Sequence, residues 1–151
     1  MKIHFRLAWL VSGAFGPKVF KSAAAYSLFS EYAERISKFA PCEVSGFKRP
    51  HDKQPGQKIW LCDRTPGAKT LSSEEIAALM DRQRGSGVRE LCIVIGGPDG
   101  FSKEDTGDLK PDLRWCFGPL TLPHELAAVV AGEQIYRGWT IIRNLPYHSG
   151  H

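Results

Sequence analysis

Apolar residues alternate with polar ones in "KIHFRLAWL", which places Ile3, Phe5, Leu7 and Trp9 on one side and predicts a first strand. Beyond Gly16-Pro17 the period lengthens. Phe20, Ala24, Leu28, Tyr32 and Ile36 recur every fourth residue, the stripe of an amphipathic helix ending near Pro41. "CEVSGF" and "KIWLCD" then read as a second and third strand. Ser72 and Glu75 form a capping-box pattern ahead of "IAALM", and Gly85 with Gly87 closes that helix. Leu91–Ile95 is an unbroken apolar run, the mark of a strand buried on both faces of a parallel sheet. In "SKEDTGDLKPD", Gly107 and Pro111 keep any helix short; "LRWCF" is a further strand. From Glu125 to about Ile142 a long helix carries Leu126, Val129, Val130, Ile135 and Trp139. Strands alternating with helices predict an α/β fold with a mainly parallel sheet.

One connection is too short for that plan. Only His51–Lys58 separates the second and third strands, and neighbouring parallel strands need a crossover of about a dozen residues. The two are therefore antiparallel, or they are not neighbours. No repeat or linker divides the chain, and 151 residues suit a single domain, 1–151.

Composition narrows the class. With 42% hydrophobic and 24% charged residues the chain reads as a soluble globular protein. No apolar run approaches the roughly 20 residues of a membrane helix, and His4 and Arg6 interrupt any signal-like start, so a cytoplasmic location is expected. Cys42, Cys62, Cys92 and Cys116 contain no C-x-x-C pair, which predicts buried free thiols and no metal site. The net charge of +4 permits an anionic partner.

The candidate chemistry lies in two glycine-rich turns. "IGGPDG" follows the Leu91–Ile95 strand, and ligands in open α/β sheets sit beyond the carboxyl ends of strands. The same residues also suit a turn without a ligand. They match neither a Walker loop nor G-x-G-x-x-G, and the chain has no G-x-S-x-G or H-E-x-x-H. "FGPLTLPHE" forms a second strand-to-helix junction with backbone donors and the apolar Leu120 and Leu122. Two such loops side by side would make an apolar slot for an adenosine cofactor.

The motifs "VIGGPDGFS", "LTLPHELAAVVAGEQIYRGWTI" and "NLPYH", in this order, resemble the RlmH-type large-subunit ribosomal RNA methyltransferases of the SPOUT superfamily. "LFSEYAERISKF" and "WLCDRTPG" extend the resemblance over most of the chain. It implies a SPOUT α/β fold with a C-terminal trefoil knot, a feature that no residue pattern here predicts. It further implies a homodimer that binds S-adenosyl-L-methionine in the knot and methylates N3 of a pseudouridine in 23S rRNA. The partner would be ribosomal RNA on the ribosome, not DNA or a membrane.

Carried over residue by residue, the cofactor contacts fall on Leu61, on Gly96 and Gly97, and on Phe117, Gly118, Pro119, Leu120, Thr121 and Leu122. The RNA-facing active site falls on Glu133, Arg137, Tyr147 and His148. Without the resemblance, Leu61 and Leu120 read as core, His124 as structural, and Glu133 with Arg137 as an i,i+4 ion pair. Under it, His148 assists loss of the imide proton or orients the base, Tyr147 stacks on a flipped nucleotide, and Arg137 with Arg143 holds phosphate. Apolar residues on the last helix exceed one buried stripe, and a symmetric dimer would cover the surplus.

The chain departs from the family in two places. His51–Lys58 replaces a helix, and Ser149 stands where relatives carry a basic residue, which removes one phosphate contact. Gly150 and His151 read as a disposable end. Other readings are a different RNA target, a non-catalytic RNA- or ribosome-binding dimer, and a flavodoxin-like binder.

Overall fold

The computed structural model describes residues 1–47 and 53–148. Six strands form one all-parallel sheet: β1 (Lys2–Leu7), β2 (Cys42–Gly46), β3 (Gln57–Cys62), β4 (Lys69–Thr70), β5 (Glu90–Ile95) and β6 (Leu113–Cys116). Their order is β2-β1-β5-β3-β6-β4. β2 and β3 are thus parallel but separated by two strands, which is how a short connection joins them. Residues 48–52 of that connection, and Ser149, Gly150 and His151, lie outside the described residues.

The alternation in β1 divides the sheet into two faces. Ile3, Phe5 and Leu7 are fully buried on one side, while Lys2, His4 and Arg6 point to the other. Leu91, Ile93 and Ile95 of β5 join the first core; Cys92 and Val94 join Ile59, Leu61 and Leu109 in a smaller second core. β5 therefore needs apolar residues at consecutive positions. Beside the second core is a polar cluster. His4 Nδ1 lies 3.0 Å from Glu90 Oε1 and its Nε2 lies 2.6 Å from Ser45 Oγ. Lys2 bonds Glu43, and Gln57 donates to Glu90 at 2.5 Å.

Three helices cover the first core: α1 (Ala23–Ser37), α2 (Ser73–Gly85) and α4 (His124–Ile142). α4 lies between the other two. Small residues permit this. A Cβ on Gly132 would stand 3.4 Å from the Phe29 ring of α1, and one on Gly138 would stand 2.6 Å from Met80 Sδ of α2. The Ser72–Glu75 capping box starts α2 as expected. The short α3 (Lys103–Leu109) supplies Leu109 to the second core.

Two sequence expectations change. α1 begins only after Ser22, whose hydroxyl accepts from Ala25 N–H, so Phe20 precedes the helix. Its buried face holds Phe29 and Ile36, whereas Ala24 and Leu28 are exposed. Val129, Ile135 and Trp139 of α4 are already buried within the chain by the flanking helices. Of the apolar residues predicted on α4, Leu126 is left uncovered and Val130 in part. Among the described residues the exposed large apolar side chains are Val11, Leu28, Leu120, Leu126 and Leu145; Leu28 and Leu126, 40% and 45% accessible, share one groove between α1 and α4.

Candidate active site

The loops that leave β3, β5 and β6 are neighbours because those strands are adjacent. They enclose a cleft of about 560 Å³ at the carboxyl ends of the strands. β5 contributes Ile95 and, from the turn after it, Gly96, Gly97, Pro98, Gly100 and Phe101; β3 contributes Cys62, Asp63 and Arg64; β6 contributes Trp115, Phe117 and Leu120–Pro123; His124 and Ala127 close it from α4. The turn is tight. Gly100 N–H donates to Gly97 O at 3.0 Å, and Gly100 takes φ of +71°. A Cβ on Gly96 would press to 3.0 Å from the Phe101 ring, so a side chain there would have to push the ring aside. A Cβ on Gly97 would meet only Trp9 Cβ at 3.8 Å, so the space beside it is cleft.

Of the predicted cofactor residues, Gly96, Gly97, Phe117, Leu120, Thr121 and Leu122 line this cleft. Leu61 is fully buried in the second core and turns away from it. Gly118 borders a neighbouring hollow, with φ of +101° that favours glycine, and Pro119 presents its carbonyl to Arg64. Asp63, Arg64 and Trp115 were missed by sequence reasoning. For Asp63 and Arg64 the position just past the end of β3 was the available signal, whereas Trp115 lies within β6. His124, read as structural from its sequence context, lines the cleft with its ring edge-on to Trp9, centroids 4.6 Å apart.

Glu125 fixes the cleft's outer wall. Its buried carboxylate accepts from Lys21 N–H at 2.8 Å and from Ser22 N–H at 2.9 Å. Burial pushes its pKa up, but these two donors and the nearby His124 and Lys21 outweigh it and hold the group below the ordinary range. The clamp joins the start of α1 to the start of α4.

The four predicted catalytic residues come together elsewhere on α4. After Ile142 the chain reverses in a Schellman turn: Asn144 takes φ of +54°, Leu145 N–H reaches Thr140 O at 2.8 Å and Asn144 N–H reaches Ile141 O at 3.1 Å. Pro146 follows, and the tail lies back along the helix. Tyr147 O–H donates to Glu133 Oε1 at 3.0 Å, and the Arg137 guanidinium holds the same carboxylate at 2.7 Å. Arg137 also lies 4.8 Å from the Tyr147 ring centroid and 3.0 Å from His148 Nδ1. His148 Nε2 is 2.8 Å from Glu74 Oε1 on α2. Burial, then hydrogen bonds with Tyr32 and Glu133, push the Tyr147 hydroxyl above its usual range, so it remains a proton donor.

These two constellations are separate within one chain. Along α4, the six residues from Ala127, the last to line the cleft, to Glu133 span about 9 Å. None of Glu133, Arg137, Tyr147 and His148 lines the cleft of its own chain.

The comparisons with known proteins agree with this architecture. The family model described as "Predicted SPOUT methyltransferase" matches residues 18–148. The chain belongs to the SPOUT methyltransferase family. It is 37% identical to the ribosomal RNA large subunit methyltransferase H of Xylella fastidiosa strain 9a5c over 140 residues, covering 81% of this chain and 87% of that protein. The protein of the same name in Koribacter versatilis is 36% identical, covering 87% and 92%, and that of Stenotrophomonas maltophilia is 33% identical, covering 80% and 86%. The SPOUT assignment made from the three C-terminal motifs therefore holds, as does the parallel α/β sheet. Among the described residues no helix is long and apolar enough to cross a membrane.

Proposed function

We propose that this SPOUT methyltransferase transfers a methyl group from S-adenosylmethionine to N3 of a pseudouridine in 23S rRNA, acting as a cytoplasmic homodimer of single-domain chains. The observation that carries the reading is the pairing of an apolar, backbone-lined cleft at the strand ends with an ordered Glu133–Arg137–Tyr147–His148 network between α4 and the tail that follows it. The cleft fits the cofactor. Its volume lies in the range of small-molecule sites, its walls are mainly apolar, and Gly97 leaves room beside the turn. Gly96, Gly97 and Phe117–Leu122 would hold it, with Leu61 supporting the floor from beneath. When bound, the cofactor supplies a methyl group activated by its sulfonium. In this reading the segment after β6 is also the part that threads the family's trefoil knot.

The residues of the tail then have positional tasks. Bringing donor and acceptor into line is the main catalytic requirement, because the leaving group needs no protein assistance. Tyr147, held by Glu133 and by the Arg137 guanidinium, offers a ring face for the target base. His148 takes up or orients the imide proton of N3, and Glu74 fixes its ring from the far side. Since none of these groups lines the cleft of its own chain, the site is complete only when a partner's tail reaches it. The groove bearing Leu28 and Leu126 borders the cleft at Pro123 and His124, which makes it the natural two-fold face.

The deciding experiment is transfer from radiolabelled S-adenosylmethionine to ribosomes whose target pseudouridine is unmethylated, followed by mapping of the product. One N3-methyl group per ribosome is expected. Incorporation at another nucleotide would assign a different RNA target, and cofactor binding without transfer to any ribosomal RNA would favour a non-catalytic dimer.

A further inference from the structure

The ionisable residues on the cleft wall are Asp63, Arg64, His124 and Cys62, whose thiol is kept neutral by burial. The Asp63 carboxylate is consumed within its own turn: Oδ1 accepts from Arg64 N–H at 2.7 Å and Thr65 N–H at 3.1 Å, and Oδ2 accepts from the Thr65 hydroxyl at 2.6 Å. His124 faces Trp9 and lies 3.7 Å from Glu125. Arg64 differs from both. Its guanidinium reaches across to the facing loop, where Nη2 donates to the Pro119 carbonyl at 3.1 Å and Nη1 donates to the Thr121 hydroxyl. Both acceptors are neutral. Among the described residues no carboxylate pairs with Arg64, and two contacts leave most of its five donors unspent.

A cation in this position has been oriented without being neutralised. The Asp63 turn sets its backbone and the Pro119–Thr121 loop sets the plane of its fork. Carboxylates match that fork in geometry and charge. Resting on the cofactor reading above, we infer that Arg64 binds the amino-acid carboxylate of S-adenosylmethionine and so selects donors that carry one. The cofactor's methionyl end then lies at the Arg64 rim, and its adenosine occupies the apolar floor formed by Ile95, Trp115 and Phe117. An RNA phosphate would also suit a guanidinium, but Arg64 turns toward Thr121 inside the cleft, which favours the smaller ligand.

Isothermal calorimetry with S-adenosylmethionine and its decarboxylated analogue, on the full chain and on Arg64→Gln, tests the assignment. Arg64 is exposed, so the variant should fold, which a thermal melt checks. The unaltered protein should bind the intact donor about 10- to 100-fold more tightly than the analogue, the range for a hydrogen bond to a charged group. Arg64→Gln should lose that preference and bind the analogue as the unaltered protein does. Equal weakening toward both compounds would show that Arg64 only props the Pro119–Thr121 loop, and overturns the proposal. Unchanged donor affinity with weakened RNA binding overturns it too, in favour of a phosphate contact. If the unaltered protein binds neither compound, the cleft itself has been misread and both proposals fall.

Discussion

Single atoms decide several properties of this protein. Gly97 stands at the cleft with no neighbour closer than Trp9 Cβ at 3.8 Å, so a valine there fits the fold and fills the ligand space. Gly97→Val should therefore abolish S-adenosylmethionine binding in calorimetry while the melting temperature stays nearly unchanged; retained affinity would move the cofactor elsewhere. Gly46 behaves oppositely. A Cβ there would sit 2.1 Å from the Leu10 carbonyl oxygen, a backbone atom that cannot swing aside. Gly46→Ala should cost about 1–3 kcal/mol in urea unfolding, as overpacking does. His148→Ala should lower turnover by about 10²-fold, the smaller end for a positioned acid–base group. Site residues were readable from sequence only where motif and position coincide, as at Gly96, Gly97 and Thr121. Arg64 sits in a turn whose residue types are ordinary, and its reach across the cleft depends on β3 and β6 being neighbours. No local pattern carries that information.

At the level of elements, two junctions organise the active site. The Glu125 clamp ties α1 to α4, and Glu125→Gln keeps only one good acceptor for the two backbone N–H groups of Lys21 and Ser22. A loss of about 1–3 kcal/mol in denaturant unfolding is expected, the range for hydrogen bonds to a charged group. The second junction is the Schellman turn after α4. It orders Tyr147 and His148 on α2 and α4, so the last described residues are held in place. Deleting residues from Tyr147 onward should abolish methyl transfer and leave cofactor affinity within about twofold, because neither Tyr147 nor His148 lines the cleft of its own chain. Transfer at full rate by the truncated protein would remove the tail from the mechanism. β1, β2, β3, β5 and β6 were legible from their apolar patterning and α2 from its capping box, whereas the two-residue β4, Lys69–Thr70, carries no apolar residue and was not. The helical stripe from Phe20 was not, because every-fourth spacing drifts around a 3.6-residue helix and leaves Ala24 and Leu28 outside.

For the whole molecule, acid lability follows from groups spread over the sheet. Burial depresses the pKa of His4 against the pull of Glu43 and Glu90, with Lys2 adding to the depression. The unfolded chain then binds the proton more readily, so stability is full above the ordinary histidine value of about 6.5 and declines as pH falls below it. Glu43, Asp112 and Glu125 are all held low, so their contribution is present above the ordinary carboxylate range and is lost as pH falls through their folded values. Urea midpoints should fall between pH 7 and pH 5, and His4→Gln should flatten that slope. Assembly is a property of the same scale. Replacing Leu28 and Leu126 together by glutamate should yield a monomer in light scattering and, in consequence, an inactive enzyme with normal cofactor affinity. A dimer that persists would place the two-fold face elsewhere. The strand order also has a consequence in time. β5 lies between β1 and β3, so residues that begin at Lys2 find their central neighbour only when Glu90 has been made. At roughly 5–20 residues per second, β1 and β2 wait several seconds on the translating ribosome for the strand that unites the sheet. During that interval the nascent protein has two unjoined halves, and a chain stalled before Glu90 should be cut rapidly by protease, whereas one stalled well beyond Ile142 should resist.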